Sequence, residues 1–338
     1  MMIPRMSRLF CVRFAALSFT AALITSCGGN PPQSMPPKAL QANGQASAPV
    51  QVAAIPPTPP PKIVGESAIV IDVVSGRVLY SKNADLPRAV ASTQKIVTAL
   101  CVLDAGNIDK PVTIDASDEN CEPTKLGVKP GEVYPRRELL KVLMVKSAND
   151  IARCLARDVG GSQESFAALM NQKAAALGMR NSNFINPNGL PMAGQYSTAR
   201  DMAIAARAAY RSPLIRSYTA TKSFTFRFND GHTREIENTN HLLKTVPYCD
   251  GLKTGTTNAA GPCVSVCMDR DPLVRQKPDG TKGATPRRLI VVVLNNPERF
   301  TRARGLIRQG WAVYDSWLES GALVENRERE MLSVPNPQ

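Results

Sequence analysis

Between Gly28 and Lys62 the chain carries no hydrophobic periodicity: Pro, Ala, Gln and Gly dominate, and Pro59-Pro60-Pro61 removes three backbone donors in a row. Such a stretch cannot contribute to a packed core. Whatever body the 338-residue chain folds into must therefore come from the residues that follow. Polyproline-like at about 3.1 Å per residue, these roughly 35 residues would reach about 100 Å, and much less as a coil. Beyond them 43% hydrophobic and 20% charged residues over the whole sequence, with clearly periodic apolar segments, predict a soluble globular body.

Ahead of the Pro-rich stretch stand Arg5, Arg8 and Arg13 with no acid, then an apolar run from Phe14 to Ile24. This is about the length of a signal-peptide core and too short to span a bilayer, so the chain is expected to be exported to the periplasmic side of a cell envelope. The run ends in Ile24-Thr25-Ser26-Cys27 followed by Gly28-Gly29, which resembles a bacterial lipobox. That resemblance makes Cys27 the lipidated first residue and the chain a lipoprotein, with the outer membrane favoured by Gly28. The expected organisation is a signal segment at 1–26, a lipidated Cys and tether at 27–62, one catalytic domain at 63–320 and a short tail at 321–338. Losing the three Arg lowers the formal charge from +13 to about +10.

Composition excludes several functions. The two histidines, His232 and His241, cannot supply a three-imidazole zinc site, and no H-E-x-x-H helix is present, so no metal or other cofactor is expected. The positive charge is scattered and aromatics are 5%, a poor match to a nucleic-acid surface and a better one to an anionic polymer or membrane.

Three short segments carry chemistry. Ser67 to Asp72 is predicted as a strand, Ser75-Gly76 as a turn and Arg77 to Tyr80 as the returning strand. After Pro87, apolar positions at Ile96, Val97, Leu100, Cys101 and Leu103 predict a helix starting near Ser92. Lys95 then shares a helical face with Ser92, and the helix dipole places its positive end beside the Ser oxygen. Taken alone the pair also suits a capping Ser beside a solvated Lys. A second amphipathic stretch, Glu138 to Ala156, is broken by Ser147-Ala148-Asn149, where a turn between helices would aim a hydroxyl and an amide into a cleft. Third, Asp250 to Thr257 contains Lys253, Thr254, Gly255 and Thr256 and opens a strand that could pair with an extended peptide.

In order, S-x-x-K, S-x-N and K-T-G form the triple of penicillin-binding proteins and class A β-lactamases. With Asn186-Pro187-Asn188-Gly189-Leu190, Ser197 to Met202 and Asn238-Thr239-Asn240, the chain from about Gly65 to Trp317 resembles the D-alanyl-D-alanine carboxypeptidases, the S11 serine peptidases. The resemblance implies an α/β (α+β) fold: an antiparallel sheet of about five strands flanked by helices, with a helical subdomain carrying S-x-N. It implies a D,D-carboxypeptidase acting on peptidoglycan stem peptides and acylated by β-lactams. The catalytic residues would be Ser92 as nucleophile, Lys95 as base and Ser147 as proton relay. Asn149, Lys253, Thr254, Gly255, Thr256 and Arg299 would bind substrate, the N–H groups of Ser92 and Thr256 forming the oxyanion hole. The alternatives are a D,D-endopeptidase, which shares all three motifs, a non-catalytic peptidoglycan-binding lipoprotein, and a β-lactamase, for which only Glu164 offers a deacylating carboxylate.

Ala148 stands where the family often has Gly, and Met268 to Pro286 is expected as an enlarged hairpin loop after the Lys253 strand, bordering the cleft. Nothing after Trp317 resembles the β-rich second domain of many family members. Cys101 and Cys154 fall on apolar helix faces and are expected as buried thiols, whereas Cys249 sits where it could bridge Cys263 or Cys267.

Overall fold

The computed structural model describes residues 65–276, 280 and 282–320. The expected signal segment 1–26, the tether 27–62 with Cys27, and the tail 321–338 lie outside the described residues. In chain order the elements are β1 (Ser67–Asp72), β2 (Val78–Lys82), α1 (Lys95–Asp104), β3 (Pro111–Thr113), β4 (Val133–Pro135), α2 (Arg136–Val145), α3 (Asn149–Gly160), α4 (Gln163–Leu177), α5 (Ala199–Tyr210), α6 (Pro213–Thr219), β5 (Ser223–Arg227), β6 (Thr233–Glu237), α7 (Leu242–Thr245), β7 (Cys249–Thr257), β8 (Gly261–Gln276), β9 (Lys282–Leu294) and α8 (Arg299–Glu319).

One antiparallel sheet, ordered β2-β1-β9-β8-β7, organises the body. Its central strands are buried on both faces, and the period-2 alternation of a strand sends successive residues into two different cores. Ile69, Ile71, Ile290, Val292, Cys263 and Cys267 join the core that contains α1 to α5. Their neighbours Ala68, Val70, Leu289, Val291, Val264 and Val266 join the core beneath α8. This double burial is why β9 appears in sequence as the unbroken run Leu289 to Val293 rather than as an alternation. α8 meets its face with Ala303, Leu306, Ile307, Gly310, Trp311, Tyr314 and Trp317, a helical spacing of apolar positions. Trp311, Tyr314 and Trp317 pack edge to face along it, with centroids 5.5 and 5.7 Å apart.

On the other face α1 is buried along nearly its whole length, from Lys95 through Val102. It is the central helix of that layer, enclosed by α2, α3, α4 and α5, and its first residue, Lys95, is fully buried. The expected break in the second amphipathic stretch is the junction between α2 and α3, where Ser147 adopts φ +69° and Ala148 is the N-cap of α3.

One expectation holds in part: residues 268–276 and 282–286 do belong to a hairpin, but they are its paired far half, not a loop bordering the cleft. Cys249 at the start of β7 pairs with Met268, so residues beyond Met268 run past that end of β7, away from Gly255 and Thr256. Alternation in charge and Pro content hid the continuing ladder from Leu273–Thr285 to Gln276–Lys282. Among the described residues the bridge left open for Cys249 is not formed: Cys101, Cys121, Cys154, Cys249, Cys263 and Cys267 are all free thiols. Cys263 and Cys267 are four residues apart on β8 and face the apolar core, and Cys101 and Cys154 are buried as expected. Burial pushes the Cys263 and Cys249 thiols up to about 11 and that of Cys101 to about 12.

Candidate active site

Ser92 does not sit on α1 itself but in the 3-10 turn Ala91–Gln94 that leads into it. Ala91 is held at φ +49°, a left-handed conformation that costs a β-carbon residue about 1–3 kcal/mol and persists only where surrounding structure imposes it. Two glycines impose it. Gly189, at φ +86°, lies so close that an added Cβ would fall 2.2 Å from the Ala91 carbonyl oxygen. Gly255 in β7 covers the other side, where a Cβ would fall 2.6 Å from the Ser92 nitrogen. The nucleophile turn is thus clamped between the Asn186–Leu190 loop and the K-T-G strand, with Gln94 Nε2 donating to the Asn186 carbonyl at 2.6 Å and Thr98 Oγ1 to that of Pro187 at 2.6 Å.

Lys95, fully buried, points its Nζ at three oxygens: Ser92 Oγ at 2.9 Å, Asn149 Oδ1 at 2.6 Å and the Asn188 carbonyl at 2.8 Å. Burial first, and then the Lys253 charge, hold its pKa well below the ordinary lysine value. A neutral amine fits this set well. Its two N–H donors match the two carbonyl acceptors, and its lone pair is left for the Ser92 hydroxyl proton. Asn149 is oriented by its own Nδ2, which donates to the carbonyls of Glu122 at 2.9 Å and Pro123 at 3.0 Å, so its Oδ1 faces Lys95. That loop is in turn fastened by Asp150, whose carboxylate accepts from the N–H groups of Leu126, Gly127 and Ile151 at 2.9–3.0 Å.

Ser147 is 8% exposed, and its Oγ has no hydrogen-bond partner among the described residues. A buried hydroxyl without a partner, on strained backbone beside Asn149, has its bonding capacity open to a ligand. Lys253, in β7 opposite Ser265, is 1% exposed, and burial, followed by the charge of Arg299, lowers its pKa to about 7. Its Nζ donates to the Thr254 carbonyl at 3.0 Å, leaving two donors. The Thr254 hydroxyl donates to Thr239 Oγ1 at 2.6 Å. Arg299, the first residue of α8, reaches back to the strand: its Nη1 contacts the Gly255 carbonyl at 2.8 Å, Thr256 Oγ1 at 2.6 Å and the Cys263 carbonyl at 3.3 Å.

All nine sequence-predicted residues of the domain therefore lie on elements that meet around the Ser92 turn. Sequence reasoning missed Asn188, whose contribution is a backbone carbonyl, Thr239, and Asp150, which acts through Asn149 and the 122–127 loop. Asn-Pro and Asn-Gly, both turn dipeptides, were the available signal for the first. Glu164, by contrast, is exposed in the first turn of α4, capped against Ser162, which is no place for a deacylating base.

An antiparallel sheet between two helical layers, with a serine and a buried lysine in one turn, defines a serine hydrolase of the penicillin-binding class. The comparisons narrow this. The family described as peptidase S11, D-alanyl-D-alanine carboxypeptidase, matches residues 53–273, and the chain belongs to that family. It is similar to the D-alanyl-D-alanine carboxypeptidase DacF of Bacillus subtilis (strain 168), 37% identical over 205 residues that cover 59% of this chain and 53% of DacF. DacB2 of Mycobacterium tuberculosis, named as the same activity, is 33% identical over 269 residues, 79% of this chain and 83% of DacB2. A D-alanyl-D-alanine endopeptidase of Escherichia coli (strain K12) is 35% identical over 215 residues, 60% and 67% of the two chains. Among solved structures the Streptomyces K15 DD-transpeptidase matches with a TM-score of 0.64 at 29% identity, covering 75% of this chain and 99% of that one. The chain thus spans about half the length of DacF and most of DacB2.

Proposed function

We propose that the chain is a serine D,D-carboxypeptidase that removes the terminal D-Ala from peptidoglycan stem pentapeptides and is acylated by β-lactams at Ser92. The observation that carries this reading is Lys95 Nζ, buried and 2.9 Å from Ser92 Oγ, with both of its other contacts to carbonyl oxygens. Ser92 Oγ attacks the carbonyl carbon of the penultimate D-Ala while its proton passes to Lys95 Nζ. The oxyanion accepts the N–H groups of Ser92 and Thr256, each such donor contributing about 3–4 kcal/mol to barrier reduction. The proton then moves through the Ser147 hydroxyl to the leaving nitrogen, the C–N bond breaks, and free D-Ala departs. Water attacks the ester, returning its proton to Ser92 by the same route. Asn149 orients the substrate amide, and Lys253, Thr254 and Arg299 hold the terminal carboxylate at the free edge of β7, where Gly255 permits a close backbone approach.

We further propose that the body is exported to the periplasmic side and held by a lipid on Cys27, with the Pro-rich tether giving it reach toward the cell wall. The positive balance suits an anionic wall. Incubation with a pentapeptide ending in D-Ala-D-Ala should release free D-Ala. Cleavage of cross-linked dimers with no D-Ala release from the pentapeptide would replace this reading with the endopeptidase. Membrane partition of wild type but not of Cys27→Ala is expected for the anchor; equal solubility would refute it.

A further inference from the structure

Away from the nucleophile, the base of β7 is tied to the body by a charged cluster that the reaction does not use. Asp250 lies in the bulge where β7 shifts its register against β8, between Cys249 and Gly251 and a short step before Lys253. Gly251, at φ +77°, is pressed so close to the end of α6 that an added Cβ would collide with the Thr219 carbonyl oxygen. From α5, the buried Tyr210 brings its hydroxyl to two carboxyl groups at once: Asp250 Oδ2 and, at 3.0 Å, Asp269 Oδ1 of β8. Asp269 is also held by Arg288 of β9, whose Nε donates to its two oxygens at 3.0 and 3.1 Å. The guanidinium groups of Arg216 and Arg288 each stand 5.3 Å from the centroid of the Tyr210 ring, and the buried Cys267 thiol faces the same space. Among the described residues the Asp250 carboxyl forms no ion pair, and Tyr210 is its hydrogen-bond partner.

A phenol has one proton, so Tyr210 donates to one carboxyl group and must accept from the other. Paired with Arg288, Asp269 is the anionic acceptor. Asp250, with no paired cation, is left to donate, which it can do only as a carboxylic acid. We infer that Asp250, Tyr210 and Asp269 form a one-proton latch at the base of β7, in which the Asp250 carboxyl donates to Tyr210 Oη, Tyr210 donates to Asp269 and Arg288 closes the chain, and that release of this proton to solvent loosens the K-T-G strand. Burial first, and then the charge of Asp269, raise the Asp250 carboxyl above the ordinary carboxylate value, while Tyr210, Arg288 and Arg216 oppose the rise. Burial keeps the phenol and the Cys267 thiol protonated. Once Asp250 ionises, two anions compete for a single donor and one contact to Tyr210 is lost. β7 is the last strand of the sheet and has only β8 beside it, so a loosened bulge leaves Lys253, Thr254 and Gly255 less firmly placed against the Ser92 turn. Because the folded value lies above the unfolded one, the latch contributes in full below the ordinary carboxylate range and is lost as pH rises through the raised value. The latch itself is independent of the reaction; its effect on the site rests on the Ser92 reading.

Asp250→Asn copies the protonated acid, because its amide nitrogen donates to Tyr210 Oη at every pH. Wild type, Asp250→Asn and Asp269→Asn are compared by thermal melts and by the second-order rate constant of acylation by a labelled penicillin, from about pH 5 to about pH 9. Asp250→Asn should melt within about 2 °C of wild type at the acid end and above it at the alkaline end, whereas Asp269→Asn, which deprives Arg288 of its partner, should melt lower throughout. The acylation rate of wild type relative to Asp250→Asn cancels the limbs that Lys95 and Lys253 impose on both proteins. That ratio should fall by about fivefold as pH rises, the scale of one hydrogen bond. The infrared difference between wild type and Asp250→Asn at the acid end should contain the carbonyl stretch of a protonated carboxyl. Asp250→Asn melting below wild type at every pH, or a difference spectrum without that band, would overturn the latch. A rate ratio constant to within about twofold across the range would refute its link to the K-T-G strand. No acylation of any of the three proteins would instead count against the Ser92 reading, with the melts and the spectrum still locating the proton.

Discussion

Replacing Gly255 by Ala would separate the K-T-G strand from the nucleophile. The added Cβ would stand 2.6 Å from the Ser92 nitrogen, 2.9 Å from the Ala91 Cβ and 3.0 Å from the Thr93 nitrogen. Two of these are backbone atoms of a turn already clamped by Gly189 and anchored to α1, so they cannot give. β7 can: it is the last strand of the sheet, paired only with β8. Restoring ordinary contact at 3.4 Å requires β7 to move about 0.8 Å outward. Forced overpacking of this kind costs about 1–3 kcal/mol of stability. A misplacement approaching 1 Å between reacting groups costs up to about 100-fold in rate. The Thr256 N–H, on the oxyanion side, would move with the strand. Single-turnover acylation by a labelled penicillin, run beside a thermal melt, should show a second-order rate constant lower by about 10- to 100-fold and a Tm lower by about 2–10 °C. A rate within about threefold of wild type would refute the claim that Gly255 is there to let β7 approach Ser92.

Other outcomes follow from the same geometry. Asp150→Asn places an amide N–H₂ against backbone donors that now share a carboxylate; with hydrogen bonds to a charged group contributing about 1.5–3 kcal/mol each, a loss of about 3–5 kcal/mol is expected in urea unfolding. A loss below about 1 kcal/mol would mean that the 122–127 loop is held by something else. The pH profile of kcat/KM should be bell-shaped. Lys253 binds the carboxylate only when protonated, so the profile falls as pH rises through about 7, whereas Lys95 must be neutral, so it falls again as pH drops through its own depressed value. A bound carboxylate raises Lys253, so the alkaline limb of kcat should lie higher than that of kcat/KM; identical limbs would argue against Lys253 as its partner.

Much of this site was legible because side-chain identity at fixed spacing is a sequence property. Ser92 and Lys95 share a face by periodicity alone, and the break at Ser147 to Asn149 shows as two polar residues inside an apolar run. What escaped depends on backbone. Asn188 contributes a carbonyl that any residue possesses, and Ala91 is strained by glycines nearly a hundred and more than a hundred and sixty positions away in sequence. Thr239 gains meaning only when the Asn238–Asn240 loop is laid beside β7, with Thr239 N–H on the Val145 carbonyl at 3.3 Å. The length of the β8 and β9 strands escapes for a related reason: exposed, charged, Pro-containing residues resemble a loop, and only the partner strand reveals the ladder. For the cysteines, position in the sequence says nothing of which face of β8 Cys263 and Cys267 occupy, and that face is the core.

The central claim is that Ser92 carries the acyl group and Lys95 deprotonates it. Peptide mapping by mass spectrometry after incubation with a penicillin tests it most directly. The account predicts a single stoichiometric adduct on the peptide containing Ser92 in wild type, and none in Ser92→Ala, whose melt should remain cooperative. An adduct at any other residue, or undiminished labelling of Ser92→Ala, would contradict it.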